Sequence, residues 1–170
     1  VVEIDVKIEN LGWPSETGLR ARLHQILDSV FTYFEHDNVE SELSAVFDCD
    51  ASIRHLNERW RGIDKPTNVL SFPAFPLKAG ERPKALLGDI VFALETIQRE
   101  AEQQQKKFED HLTHLMLHGI LHLLGFDHQT EKEAVAMEHI ERVILAEYAI
   151  ADPYRVIPEK CEAVFGQELR

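Results

Sequence analysis

The stretch "HGILHLLGFDH", His118 to His128, places three histidines at i, i+4 and i+10, with a glycine between the second and third. Residues four apart on a helix share a face, roughly 6 Å apart along the axis, so His118 and His122 can reach one ion. A further ligand two turns up would sit about 12 Å from the first, too far for metal–nitrogen bonds of about 2.0–2.1 Å. The third ligand must come from chain that has turned back. Gly125 supplies the turn, because glycine takes a left-handed, helix-ending conformation without steric cost. Phe126 and Asp127 then carry the chain round, and His128 closes the site. A triad of His111, His114 and His118 fails the same length test, since it spans about 10 Å of helix. The competing reading is a partly exposed polar helix face followed by an ordinary turn histidine.

Three neutral imidazoles leave a fourth position for water, which is a catalytic pattern; structural zinc sites usually close with four protein ligands. One zinc ion per chain is the first choice, although nickel, copper or iron can use the same nitrogens. The spacing is that of the metzincin peptidases, which carry a glutamate after the first histidine as general base. Here that position is Gly119. Asp127 is the nearest substitute carboxylate, and without a proton acceptor peptide hydrolysis becomes the second reading.

Around this motif the pattern predicts an α+β fold: a small mixed sheet of about four strands packed with about five helices, in one domain over residues 1–170. Val2 to Ile8 alternates as a strand with Val2, Ile4, Val6 and Ile8 on one side. A helix from near Ser15 buries Leu19, Leu23, Ile26, Leu27, Val30, Phe31 and Phe34. "ELSAVF" is a second strand. Asp50 is expected to cap a short helix with Ile53, Leu56 and Trp60 inward, stopping at Gly62. Thr67 to Phe72 is a third strand, and the proline-rich "PAFPLKAGERPK" a long loop. "GDIVFA" suits a strand buried on both faces. Helices follow over about Leu94–Lys106 and Glu109–Leu124. Thr130 and Glu133 form a capping box for a last helix with Met137, Ile140, Ile144 and Leu145 inward. Residues 151–170 show no periodicity and stay unassigned.

No apolar run approaches the roughly 20 residues of a membrane span, and "VVEIDVKIEN" lacks a signal-peptide layout. Cys49 and Cys161 match no metal or redox spacing and read as reduced thiols without a disulfide partner, which points to the cytoplasm. The net charge is −12, which argues against wrapping of a nucleic-acid backbone. Between Ala51 and Lys84, however, seven cations face three acids, a local +4. Such a stretch suits a small anionic contact, or simply a solvated face.

Three segments together, "LTHLMLHGILHLLGFDH", "LNERWRGIDKPTNVLSFP" and "LLGDIVFA", resemble the YbeY rRNA maturation factors, zinc-dependent single-strand-specific endoribonucleases of bacteria. The resemblance runs from about Leu56 to Leu145, including "MEHIERVIL". It implies metal ligands at His118, His122 and His128. The family's motif arginine falls on Arg61, with Trp60 replacing the usual aromatic neighbour. It also implies a role in 16S rRNA 3′-end maturation and ribosome quality control, with single-stranded RNA, rRNA and the small ribosomal subunit as partners.

The residues themselves allow more than one role. Arg61, before a glycine helix stop, can present a planar fork to phosphate, or pair on the surface with Glu58 or Asp64. His114 is a candidate proton donor or phosphate contact, or a packed residue behind the ligands. Lys65 is a candidate substrate contact. Asp89 starts a strand and suits a structural role. Phe72 and Phe75 can stack on bases or pack in the core. Two rivals to RNA hydrolysis remain open: a metallopeptidase with an unconventional base, and a ribosome-assembly factor whose metal only locks the Gly125 turn.

Overall fold

The computed structural model describes residues 1–155. Cys161 and the tail from 156 onward lie outside the described residues. Four strands, β1 (Val2–Ile8), β2 (Ser41–Asp48), β3 (Val69–Pro73) and β4 (Gly88–Ala93), form one sheet in the order β1-β2-β4-β3. β1, β2 and β4 run parallel, while β3 pairs antiparallel to β4 and forms an edge. The helices are α1 (Glu16–Tyr33), α2 (Asp50–Arg61), α3 (Leu94–Gln103), α4 (Phe108–Leu123) and α5 (Glu131–Ala146). The α+β expectation holds, with four strands and five helices among the described residues. No helix among the described residues is long and apolar enough to cross a membrane.

The main core joins the apolar faces of β1, β2 and β4 to α1, α4 and α5. A smaller cluster of Ile53, Leu70, Val91 and Ala93 packs α2 on the other side. α4 lies deepest. From His111 to Leu123 every residue is buried except His118 and His122. Its apolar run therefore leaves two polar openings, four residues apart. A helix buried almost all round needs no strong amphipathic pattern, because it packs on several elements at once.

Several local expectations need correction. Asp50 does not cap α2; it is the first helical residue, and Cys49 is the N-cap. Its Oδ1 instead accepts from the backbone N and Oγ1 of Thr96, at 3.0 and 2.6 Å. Glu95 returns the favour by accepting from the Asp50 amide at 3.2 Å. The two helix starts cap each other across the sheet end, which local spacing cannot reveal. Trp60 points outward at 62 % exposure, its ring against the edge of Phe72, because Ile53 and Leu56 already fill the contact with the sheet. Ile8, last in an edge strand, is also exposed.

β3 starts at Val69 and not Thr67, since Asn68 Oδ1 accepts from the Val69 amide at 2.7 Å and holds a turn there. α3 ends at Gln103, short of Lys106, where Gln105 takes a positive φ of 55°. Thr130 does cap α5, accepting from the Glu133 amide at 3.2 Å. Cys49 is partly buried, its Sγ 3.6 Å from Ser52 Oγ.

Candidate metal centre

α4 ends as the glycine requires. Gly125 has φ +93°; its amide donates to the His122 carbonyl at 3.1 Å and the Phe126 amide to the Leu121 carbonyl at 3.0 Å. These two bonds satisfy carbonyls that the last helical turn leaves free. A Cβ at Gly125 would also sit 2.4 Å from the Leu77 carbonyl oxygen, so the loop after β3 lies directly on this turn. The reversal brings His128 back beside the helix, with ring centroids 5.4 Å from His118 and 5.0 Å from His122. One nitrogen of each of the three rings lies within 4.8 Å of the others, a group that could hold a metal ion.

The second ring nitrogens of His118 and His122 are already engaged. His122 Nδ1 donates to the Phe126 carbonyl at 2.9 Å, and His118 Nδ1 to Glu141 Oε1 at 3.1 Å. With both Nδ1 atoms protonated, the Nε2 lone pairs of His118 and His122 face each other at 3.0 Å. Two facing lone pairs repel unless a cation lies between them, so the donor chemistry fits a metal. Burial pushes the His122 pKa down to about 4, helped by the neighbouring His118 and His128, so this ring is neutral and ready to ligate at pH 7.

Glu141 is the residue that motif reading missed. It is fully buried on the inner face of α5, among Met137, Ile140, Ile144 and Leu145. Both carboxylate oxygens are occupied: Oε1 accepts from His118, while Oε2 accepts from His114 Nε2 and from the Tyr154 hydroxyl at 2.8 Å. Burial pulls its pKa upward, but the hydrogen bonds from His114 and His118 prevail and hold it at about 2. The sequence does carry a signal, an acid inside the apolar stripe of the last helix. Ligand atoms of His114, His118 and Glu141 also cluster closely enough for a cation, though the carboxylate is already satisfied by three protein donors.

The three histidines open onto a cleft of about 600 Å³ that is also lined by Arg61, Ser71 and Asp127. Arg61 is exposed, held by one hydrogen bond to Asn57 Oδ1 at 3.3 Å. It pairs with neither Glu58 nor Asp64; Arg54 takes Asp64 at 2.7 Å. His114 is buried and bonded to Glu141, behind His118 and away from the cleft lining. Lys65 is exposed but outside the lining too, its carbonyl accepting from Asn57 Nδ2 at 2.8 Å. Asp127 accepts from the His128 amide at 2.7 Å, stabilising the turn. His111 is turned toward Glu100 at 2.9 Å. Asp89 sits exposed at the start of β4, Phe72 packs on the α2 cluster, and Phe75 is 38 % exposed beneath Lys84.

Gly119 occupies the place of the peptidase glutamate. Its Cβ would lie 3.1 Å from Ser71 Oγ and 3.2 Å from Ile90 Cγ2, and its carbonyl accepts from Ser71 Oγ at 3.0 Å. This face of α4 is pressed against the sheet, so any side chain here would begin in tight contact with Ser71 and Ile90.

A family model described as endoribonuclease YbeY matches residues 4–149. A protein named endoribonuclease YbeY from Rhizobium etli is 47% identical over 159 residues, covering 90% of this chain and 93% of its own. One of the same name from Bartonella henselae is 47% identical, over 91% of this chain and 98% of its own. The solution structure of a Thermotoga maritima protein superposes with a TM-score of 0.53 over 92% of this chain and all of that one. At 20% identity that likeness speaks to the fold alone.

Proposed function

The chain belongs to the endoribonuclease YbeY family, and from that premise we propose that it hydrolyses phosphodiester bonds in single-stranded RNA at a three-histidine zinc centre. The proposed setting is the cytoplasm, in 16S rRNA 3′-end maturation and ribosome quality control, with the small ribosomal subunit as partner. The observation that carries the reading is one cleft shared by His118, His122, His128 and the exposed Arg61. The histidines, which line this cleft, would hold one zinc per chain through nitrogen. When bound, zinc supplies Lewis acidity and a water acidic enough to ionise near neutral pH.

The protein's own groups do the rest. Arg61 has no carboxylate partner among the described residues, so its planar fork is available to a phosphate and to the charge that builds on it during reaction. The cleft wall at Val69, Ser71 and Pro73 is the edge strand β3, a firm surface against which a flexible strand can be aligned. The fork of Arg61 recognises phosphate whatever the base. The peptidase rival is weakened because Gly119 is packed against Ser71 and Ile90.

The test is to incubate highly purified, zinc-loaded protein with labelled single-stranded and duplex RNA. Cleavage of the single strand, lost with a chelator and in His118→Ala, supports the reading. A 2′,3′-cyclic phosphate on the product would identify the ribose 2′-OH as the attacking group. Full RNA binding without cleavage at any zinc loading would sink the nuclease assignment in favour of an assembly factor.

A further inference from the structure

The buried cluster behind the histidines contains more chemistry than packing requires. α5 presents Met137, Ile140, Ile144 and Leu145 to the core, yet places Glu141, fully buried, on the same stripe. A charge there is costly to desolvate, and well-packed apolar residues commonly do as well or better for stability. What the carboxylate does locally is specific. It accepts the Nδ1 proton of His118, which leaves the Nε2 lone pair aimed at His122 and His128. A carboxylate behind a ligating imidazole fixes the tautomer, holds the ring's orientation and raises its basicity.

The carboxylate is itself held in place. His114 Nε2 donates to Glu141 Oε2 and lies 3.4 Å from the Tyr154 hydroxyl, while its buried Nδ1 has no partner among the described residues, so both contacts of the ring lie within this cluster. Tyr154 donates to the same oxygen at 2.8 Å, from chain beyond the end of α5. That segment is pinned to the helix: Asp152 accepts from Arg142 Nε at 2.9 Å and from the Tyr154 amide at 2.8 Å. The Arg142 guanidinium also lies 5.6 Å from the centre of the Tyr154 ring.

We propose that Glu141 is the positioning carboxylate of the metal centre, and that Tyr154 and His114 clamp it so that His118 meets the ion in a fixed orientation. This rests on the three-histidine metal reading and deepens it. Glu141 acts through His118 and touches neither metal nor substrate.

Zinc affinity, measured by competition with a chromogenic chelator, separates the possibilities. Wild type should bind one zinc, and His118→Ala should not. Glu141→Gln, which keeps the shape but puts an amide donor in place of one of the two accepting oxygens, should bind zinc about 10–100-fold more weakly. Tyr154→Phe removes one hydroxyl on a partly exposed ring; it should keep its melting temperature when zinc-free and still lose affinity several-fold. Nitrogen-15 spectra of zinc-free protein should show His118 protonated at Nδ1 in wild type and a mixture of tautomers in Glu141→Gln. A wild type that binds no zinc would overturn the metal reading and this inference with it. Normal zinc affinity in both variants overturns this inference alone. Should Glu141→Gln not fold, Tyr154→Phe decides by itself, and unchanged affinity there rejects the clamp. Two zinc ions in wild type, one of them lost in Glu141→Gln, would make Glu141 a ligand and also reject it.

Discussion

The Nε2 atoms of His118 and His122 lie 3.0 Å apart, with each ring's Nδ1 committed to a separate acceptor. With His128 beside them, this arrangement predicts one metal ion per chain bound through nitrogen. His128→Ala should then lose metal, RNA cleavage and some thermal stability together. Binding to the native state alone stabilises it by about 2.7 kcal/mol when the free ion is at 100 times Kd. X-ray absorption of the loaded protein checks the ligand set, and sulfur in the first coordination sphere would refute it.

Arg61→Ala should behave differently. Arg61 is exposed and, among the described residues, makes one side-chain hydrogen bond, to Asn57, so metal content and melting temperature should stay near wild type. The cleavage rate should fall about 10²–10³-fold, or roughly 2–4 kcal/mol of transition-state stabilisation, by analogy with removal of one oxyanion donor. If the variant unfolds, Arg61 is structural. If it cleaves normally, the phosphate contact lies elsewhere, with Lys65 next to test.

Gly119→Glu recreates the peptidase spacing, but the structure predicts damage and no new activity. Even the first added carbon would crowd Ser71 and Ile90, and a charged side chain forced between α4 and the sheet is costly to desolvate. The expected result is a marked fall in melting temperature or insoluble protein, with Gly119→Ala showing a milder version. A folded Gly119→Glu variant that digests casein would show that this position alone separates the two chemistries.

The acid limb of the stability curve should report Glu100. Burial raises the pKa of this carboxyl, but hydrogen bonds from His111 and Asn68 prevail, leaving it below its ordinary value of 4.5. The folded state therefore holds the proton less tightly than the unfolded chain. The stabilisation is complete above pH 4.5 and lost as pH falls through the folded value. Glu100→Gln should be less stable than wild type at neutral pH, the gap closing in acid. Urea midpoints at a series of pH values test this, and a constant gap would contradict it.

Much of the candidate metal centre can be read from sequence, because its constraints are local. Helical periodicity puts His118 and His122 on one face, and the reach of a metal bond forces a turn that only glycine makes cheaply at Gly125. The order of strands and helices is legible for the same reason, since alternation and 3.6-residue spacing are short-range properties. Tertiary structure decided the rest. Whether a helix start is capped by its own residues or by another helix, as with Asp50 and Thr96, depends on chain that arrives 46 residues later. Trp60 fits the inward pattern of α2 yet points out, because the available apolar surface is taken by its neighbours. Gly119 is vacant of a carboxylate because β3 and β4 press on that side of α4. Glu141 shows in the sequence only as an acid inside the apolar stripe of α5; its partners His118, His114 and Tyr154 reach it by packing, and hydrogen bonds across such distances leave no spacing to read.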